Sequence, residues 1–313
     1  MPEPLNVIFM GTPDFAVPSL KALNDYGCNV PLVVTRTDRP KGRGQKMVPP
    51  PVKIAATELN YPVFQPETVN TDEFYNKILK IHPALMVVVA FGHILPKKVL
   101  EIPIYGAINI HASLLPKYRG PAPIQRAIIN GEAETGVTTM LMDKGLDTGE
   151  ILLTSTVSIH PDDTAETLHD RLADVGANLL KKTLTRIENK TLKPIPQEHA
   201  RATYAPMLKK KDGHIDWTLS ANQIERFVRG MTPWPGAYTF YGNKRLKIFK
   251  AALKSTINAE PPGTVTKGFS NELRVATGDG VLSILEIQGS SGKRLVVSDF
   301  LRGNSIPVGT VLT

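Results

Sequence analysis

Residues 5–35 read LNVIFMGTPDFAVPSLKALNDYGCNVPLVVT, and this stretch decides the fold. The run 5–10 is continuously apolar, residues 14–26 carry apolar side chains at helical spacing, and residues 29–35 are apolar again. A strand, a helix and a second strand within about thirty residues form a βαβ unit, whose two strands are parallel. Because these strands are apolar throughout rather than alternating, both faces of the sheet are expected to be covered by helices.

The rest of the first 189 residues continues this pattern. Further strands are predicted at residues 84–90, 106–111, 136–143 and 149–159, and helices at 52–59, 72–81, 123–130 and 163–189. The prediction is therefore an α/β fold, with a Rossmann-like, mostly parallel sheet and helices on both faces. The three-glycine dinucleotide fingerprint is missing, which disfavours a nicotinamide dehydrogenase.

The last third of the chain has a different pattern. Residues 190–208 contain prolines and no periodicity, which predicts an extended linker. After it, a short helix is predicted at 221–229 and short strands at 237–241, 246–253, 263–266, 273–276 and 281–288. Short strands separated by turn signals predict a small β-barrel. The predicted divisions are thus a first domain 1–189, a linker 190–208 and a smaller C-terminal domain 209–313.

Positive charge is concentrated in two parts of the chain. Residues 209–313 hold 15 Lys and Arg against 8 Asp and Glu, a net +7 of the total +8. The segment 36–53 holds six basic residues against one Asp, and it follows the second strand, at the edge where open α/β sheets bind ligands. Such asymmetry favours a polyanionic partner. The alternative is a solvated basic surface without a partner.

The sequence also bears on the cellular compartment. Cys28 is the only cysteine, so no intrachain disulfide can form, which fits a reducing compartment. We expect neither a signal peptide nor a membrane span, because no basic n-region precedes the first apolar run and no run of about 18 apolar residues is found. We expect a cytoplasmic protein with no membrane contact, and we expect a monomer because no feature demands an oligomer.

The candidate chemistry lies in residues 106–120, GAINIHASLLPKYRG. Asn109 and His111 are two positions apart on a predicted strand, so their side chains lie on the same face. Asp147 lies in the glycine-flanked loop DKGLDTG between two later strands. An Asp can orient a His, and an Asn amide can donate to a developing oxyanion. Since the chain has no GxSxG elbow and no suitably placed cysteine, these groups fit acyl transfer to a nucleophile that the substrate brings.

Each of these residues also has a structural interpretation. His111 and Asn109 can be hydrogen-bonded residues at a strand end, and Asp147 can bond its own loop as an Asx-turn. A metal site is not predicted, because Asn-x-His with one Asp lacks a second strong ligand at the usual spacing.

Longer motifs decide between these interpretations. The run Asn109-Ile110-His111, then SLLPKYRG at 113–120 and DKGLDTG at 143–149, resembles the formyltransferases that use 10-formyltetrahydrofolate. GTPDFA near the N-terminus, the basic DRPKGRG loop and WPGA at 234–237 are similar as well, so the resemblance spans essentially the whole chain. It implies a Rossmann-like catalytic domain followed by an OB-like barrel that binds tRNA.

The resemblance also implies roles for individual residues. Asn109, His111 and Asp147 match the catalytic trio. The residues that match or adjoin the folate site are Ser113, Leu114, Leu115, Pro116, Phe91, Gly92, Ile94 and Leu95. Basic residues expected to contact tRNA are Arg36, Arg39, Lys41, Arg43, Lys46, Lys209, Lys210, Lys211, Lys244, Arg245 and Lys247.

The implied reaction moves the formyl group of 10-formyltetrahydrofolate to the α-amino group of methionine carried by initiator tRNA. The first domain alone also fits formyl transfer to an amino-sugar nucleotide, which needs neither the basic loop nor the basic tail domain. A third possibility, an RNA-binding module with an inactive first domain, is opposed by the intact trio.

Overall fold

The βαβ unit predicted at the start of the chain is present. It consists of β1 (Asn6–Gly11), α1 (Val17–Tyr26) and β2 (Asn29–Val34), and β1 and β2 are parallel. A 3-10 turn precedes α1, and the helix ends at Gly27, whose φ of 85° lies in the left-handed region. Glycine adopts this conformation without a steric penalty, so it ends the helix where the sequence predicts.

The computed structural model describes residues 4–42, 44–254, 259–290 and 292–313, without the side chain of Lys41. The chain divides into two compact units. The first unit comprises Met1–Pro123, Thr135–Ser158 and His169–Ala205, and the second comprises Ile124–Glu134, Ile159–Leu168 and Pro206–Thr313.

The main sheet has seven strands and is mostly parallel. The elements that follow β2 are β3 (Arg39–Lys41), β4 (Lys46–Val48), α2 (Pro51–Glu58), β5 (Val63–Phe64), α3 (Asp72–Ile81), β6 (Leu85–Val89), α4 (Lys97–Leu100), β7 (Ala107–His111), α5 (Pro123–Ile129), β8 (Glu134–Leu141), β9 (Ile151–Ser158) and α6 (Ala165–Glu188). The strand order is β5-β2-β1-β6-β7-β8-β9. All pairs from β5 to β7 are parallel, whereas β7 and β8 are antiparallel. This confirms the predicted α/β fold.

The continuous apolar strands are buried, as their composition requires. All five residues of β6 are buried, and they lie next to β1 at the centre of the sheet. Phe74 and Ile78 of α3 pack with Ile8 and Met10 of β1 in one cluster. Burial of this kind contributes about 25 cal/mol per Å² of apolar surface, so the cluster fixes the sheet that carries the site.

Within the basic segment 36–53, β3 and β4 form a small hairpin, and residues 51–53 begin α2. The two strands are antiparallel and make up a two-stranded sheet separate from the main sheet. The prolines and glycines of this segment disfavour a central strand, and an isolated hairpin satisfies that restriction. Arg43 and the side chain of Lys41, both predicted to contact tRNA, lie outside the described residues.

The stretch predicted as a linker pairs with two other parts of the first unit, the start of β9 and the loop after β7. Ile195 forms an antiparallel bridge with Ile151, and Tyr204 forms a parallel bridge with Arg119. The domain boundaries at 189 and 208 stay a prediction.

The second unit contains an antiparallel sheet with two flanking helices. Besides α5 and the start of α6, its helices and strands are α7 (Ala221–Met231), β10 (Ala237–Tyr241), β11 (Lys244–Lys254), β12 (Val265–Thr266), β13 (Leu273–Ala276), β14 (Val281–Gln288), β15 (Leu295–Val296) and α8 (Val297–Gly303). The order is β10-β11-β14-β13-β12, and β15 pairs with β14. This confirms the predicted smaller β module. Within the described ranges, no helix is both long and apolar enough to cross a bilayer.

Cys28 is expected to be unreactive in the folded protein. The thiol is buried, and burial, with a smaller contribution from Glu188, raises its pKa to about 12. The reactive thiolate is therefore scarce at pH 8. Reaction with a disulfide reagent should be on the order of 100-fold slower than for free cysteine, and it should become rapid in denaturant. Rapid labelling of the native protein would contradict this placement of Cys28.

Candidate active site

The three side chains predicted to carry the chemistry lie together at the carboxyl end of β7. Asn109 and His111 occupy alternate positions of this strand, so they share one face. Asp147 comes from the loop between β8 and β9. Its Oδ1 accepts a long hydrogen bond from Nδ2 of Asn109 at 3.4 Å, and its Oδ2 lies 3.7 Å from Nδ1 of His111. The structure thus brings the predicted trio into one cluster.

The His111 ring is buried and its two nitrogens face different partners. Nε2 lies 2.9 Å from the carbonyl oxygen of Tyr118. Because a carbonyl oxygen can only accept, Nε2 carries the hydrogen, and in the neutral ring Nδ1 carries the lone pair. The lone pair of His111 therefore lies on the side of Asp147.

Asp147 is held in an unusual backbone conformation. Its side chain is 13% exposed, and its Oδ2 accepts a hydrogen bond from the backbone N–H of Gly120 at 2.7 Å. Its φ is 52°, in the left-handed region that residues other than glycine rarely adopt. Such a conformation persists where surrounding contacts enforce it, which is typical of functional sites.

The predicted cofactor loop follows β7 and is braced by internal hydrogen bonds. Oγ of Ser113 donates to the carbonyl oxygen of Lys117 at 2.6 Å. Oγ1 of Thr138, on β8, donates to the carbonyl oxygen of Ser113 at 2.7 Å and accepts from the N–H of Leu115 at 3.2 Å. These bonds hold the loop rigidly beside the trio.

Burial divides the loop residues into two groups. Ser113 and Leu115 are buried, whereas Leu114 and Pro116 are half-buried. Leu114 and Pro116 therefore retain accessible apolar surface, and the other two residues shape the loop from inside.

The residues that follow β6 divide in the same way. Phe91 and Leu95 are buried in the core, at 2% and 5% exposure, whereas Ile94 is 89% exposed. Gly92 is exposed and has a φ of 83°, and Nη1 of Arg36 would lie 3.3 Å from a Cβ added there. Of the four residues after β6 that are expected beside the folate, Gly92 and Ile94 are accessible.

Possible metal ligands do not cluster in the described part of the chain. No group of three or more His, Cys, Asp or Glu side chains is arranged to hold an ion there.

The chain was compared with known families and proteins. A family model described as "Formyl transferase" matches residues 5–184, and "Formyl transferase, C-terminal domain" matches residues 207–305. The chain is 50% identical over 309 residues to the "Methionyl-tRNA formyltransferase" of Caldanaerobacter subterraneus subsp. tengcongensis, a match that covers 98% of this chain and 100% of that protein. The chain belongs to the formyl transferase family.

Solved structures agree with this formyl transferase in fold. An N-formyltransferase from Helicobacter canadensis in complex with folinic acid and dTDP-3-aminofucose superposes with a TM-score of 0.66 at 21% identity, covering 93% of this chain and 100% of that chain. HypX from Aquifex aeolicus in complex with tetrahydrofolic acid has a TM-score of 0.62 at 16% identity, covering 98% of this chain. The formyl transferase spans about half the length of HypX, 51%.

The basic hairpin segment of the formyl transferase presents cations that its single acid does not neutralise. Arg39 and Lys46 are exposed on the hairpin, and Arg36 is half-buried at its base. The carboxylate of Asp38 is occupied by Lys53, with the two charged groups 2.8 Å apart, and this hydrogen bond lowers the pKa of Asp38. The positive charge of the hairpin is therefore available to an anionic partner.

The pKa of His93 is affected by the positive charge of the same region. Burial, together with the guanidinium groups of Arg36 and Arg39, lowers the pKa of His93. The ring is therefore neutral at pH 7, and the cationic groups here are the arginine side chains.

In the second unit, arginine and lysine side chains lie beside aromatic rings on one face of the sheet. Tyr238 and Phe240 alternate along β10, opposite Lys247 and Arg245 of β11. The Arg245 guanidinium lies 3.5 Å from the centre of the Tyr238 ring. Lys209, Lys210, Lys211 and Lys244 are exposed in the same unit. A cation held over an aromatic face is a common element of nucleic-acid sites.

Several residues whose groups contact the trio or its loops were not predicted from the sequence. Tyr118 acts through its carbonyl oxygen, a group that every residue has. Gln197 and Thr203 lie in the predicted linker, where no periodicity distinguishes them. Arg119 was recognised only as part of the SLLPKYRG motif. The runs PIPQ at 194–197 and TYAP at 203–206 were assigned to extended chain, and they carry no local signal for these contacts.

Proposed function

We propose that this formyl transferase moves the formyl group of 10-formyltetrahydrofolate to the α-amino group of methionine on initiator tRNA. The product is N-formylmethionyl-tRNA, used in translation initiation. The observation that carries the proposal is the cluster of Asn109, His111 and Asp147 beside the braced loop 113–116. The 50% identity to a methionyl-tRNA formyltransferase over nearly the whole chain supports the choice of acceptor.

The trio supplies the groups that this reaction needs. The neutral α-amine attacks the formyl carbon, and the carbonyl oxygen becomes an oxyanion. The Asn109 amide has two N–H groups, and one of them already lies toward Asp147. The other is the donor that we assign to the oxyanion. A preorganised donor of this kind stabilises the transition state more than the substrate.

His111 and Asp147 carry the proton in this proposal. Nδ1 of His111, which holds the lone pair, takes the proton that the attacking amine releases. The resulting Nδ1–H is stabilised by Asp147 and serves as a second donor to the oxyanion. When the bond between carbon and N10 breaks, N10 of the departing tetrahydrofolate takes this proton. The α-amino group has an ordinary pKa of about 7.7–8.0, so a strong base is unnecessary.

Two basic regions are proposed to bind the acceptor tRNA. The first is the hairpin segment with Arg36, Arg39 and Lys46, to which the sequence prediction adds Lys41 and Arg43. The second is the aromatic and basic face of β10 and β11, together with the lysines at 209–211. Phosphate contacts of this type make affinity salt-dependent. We further infer a cytoplasmic monomer with a catalytic domain at 1–189 and a tRNA-binding domain at 209–313.

An acceptor assay tests the proposed function. The protein is incubated with labelled 10-formyltetrahydrofolate and one of three acceptors: methionyl-tRNA, an amino-sugar nucleotide or none. We expect label on methionyl-tRNA alone. Label on the sugar amine would instead support the alternative enzyme, and no transfer to either acceptor would indicate an inactive RNA-binding module.

Replacing Arg245 with alanine should weaken tRNA binding without changing the chemical step. The guanidinium is held over Tyr238 and presents a fixed charge. KM for methionyl-tRNA is expected to rise about threefold to tenfold. The slope of log K for binding against log salt concentration should become shallower by about one, because one phosphate contact is lost. Arg302→Ala is the matched control, because Arg302 is 81% exposed and pairs with Asp299. Equal effects of the two variants would contradict a specific role for Arg245.

A further inference from the structure

Gln197, in the stretch predicted as a linker, connects the active-site loop to a buried arginine. Its Nε2 donates to the carbonyl oxygens of Asp147 at 2.9 Å and Gly149 at 2.7 Å. The side chain is 6% exposed. Both acceptors belong to the loop that carries the catalytic carboxylate, so one amide group bridges two points of that loop.

Arg119 fixes the orientation of this amide. Its Nε and Nη2 donate to Oε1 of Gln197 at 3.1 and 2.6 Å, and Nη2 also lies 3.1 Å from Nδ1 of His199. Arg119 is 2% exposed. Because a guanidinium can only donate, Oε1 must face it, and the two N–H groups of Gln197 must face the loop. The donor and the acceptor of each hydrogen bond from Arg119 through Gln197 to the loop are therefore determined.

We propose that Gln197, oriented by Arg119, is the positioning residue for Asp147. The left-handed φ of 52° at Asp147 needs contacts that enforce it, and Gln197 bonds the carbonyl group of that same residue. Without Gln197 the loop relaxes, and the carboxylate moves away from His111 and Asn109. The kinetic part of this inference rests on the proposed formyl transfer.

The same segment positions the partner of His111 independently. Oγ1 of Thr203 accepts the N–H of Tyr118 at 2.9 Å, and the N–H of Arg119 donates to the carbonyl oxygen of Thr203 at 2.8 Å. Tyr118 is the residue whose carbonyl oxygen faces Nε2 of His111. Segment 197–203 thus contacts both the Asp147 side and the His111 side of the trio.

The first test is the substitution Gln197→Met, which keeps the length of the side chain and removes both donors. We expect kcat to fall about 10- to 100-fold, because small misplacements of a catalytic group have effects of this size. KM for either substrate should change less than threefold. Glu198→Met is the matched control, since Glu198 is its neighbour, 60% exposed, and points to Arg201. A rise in KM with unchanged kcat would overturn the proposal.

A double-mutant cycle separates positioning from simple stability. If Gln197 acts through Asp147, then Gln197→Met should have little further effect on kcat in an Asp147→Asn background. An equal loss in both backgrounds overturns the proposal. Should Gln197→Met fail to fold, Gln197→Glu replaces it. The carboxylate retains the acceptor for Arg119 and lacks the N–H donors, so the same loss of kcat is expected.

A substrate-free measurement keeps this inference separable from the proposed function. The amide proton of Gly120 bonds to Oδ2 of Asp147 at 2.7 Å, so its NMR resonance reports the position of the carboxylate. In Gln197→Met this resonance should move to the position that it has in Asp147→Ala. In Glu198→Met it should stay in place. An unmoved resonance in Gln197→Met overturns the positioning role, even if the wild-type protein formylates a different acceptor.

Discussion

Asn109→Ala is expected to lower kcat about 10²–10³-fold, the usual loss when one oxyanion donor is removed. The amide lies on β7 within 3.4 Å of Asp147 and is the donor that we assign to the developing oxyanion. Affinity for tRNA should be unchanged, because the proposed tRNA contacts lie on the hairpin and in the second unit. The substitution should also leave folding intact, since a half-buried side chain is shortened without burying a charge.

Single-turnover formylation and a separate tRNA binding titration measure the two quantities. Asn70→Ala is a suitable control, because Asn70 is an exposed asparagine of the same unit. If tRNA affinity collapses while the rate at saturation is kept, Asn109 is a binding residue and the catalytic assignment is wrong.

Gly149→Ala is expected to destabilise the protein and abolish activity together. A Cβ at this position would lie 1.7 Å from the carbonyl oxygen of Leu141, a backbone atom that cannot rotate away. The N–H of Leu141 donates to the carbonyl oxygen of Glu150 at 2.9 Å, and this hydrogen bond closes the loop that carries Asp147. The clash therefore disrupts the closure of this loop. Displacing this loop moves the Asp147 carboxylate, and a backbone clash of this severity costs roughly 3 kcal/mol.

Thermal unfolding and formylation rate measured on the same preparation check this expectation. Gly303→Ala is the control, because a Cβ at Gly303 would meet no atom within 4 Å. A Gly149→Ala protein with wild-type melting and activity would show that the β8–β9 loop tolerates displacement, and it would weaken the role given to Asp147.

Local pattern was sufficient for the larger elements. The apolar runs at 5–10 and 84–90 became β1 and β6, and the helical spacing near the N-terminus became α1 with its stop at Gly27. The short elements β3, β4, β5, α4, β15 and α8 were not predicted. A segment of two to seven residues carries too little periodicity to be distinguished from loop.

The sequence also predicted which side chains form the candidate site. Asn109 and His111 share a face because alternation along a strand is a local property. Asp147 lies 38 positions beyond Asn109, so periodicity could not connect the two, and residue chemistry with the family motif did so instead. The distance from Asp147 to His111 depends on where the fold places β8 and β9, and no local sequence pattern predicts that placement.

The sequence by itself thus determined the α/β class and the basic segments and predicted the candidate trio, since these depend on composition, periodicity and motif. Only the tertiary structure decided how the trio is held. Gln197 and Arg119 are 78 positions apart, and Gln197 and Asp147 are 50 apart. The hydrogen bonds that join them form because folding buries polar groups together and each must then find a partner. Which groups become partners depends on their positions in the folded protein, and their separation along the chain does not predict the pairing.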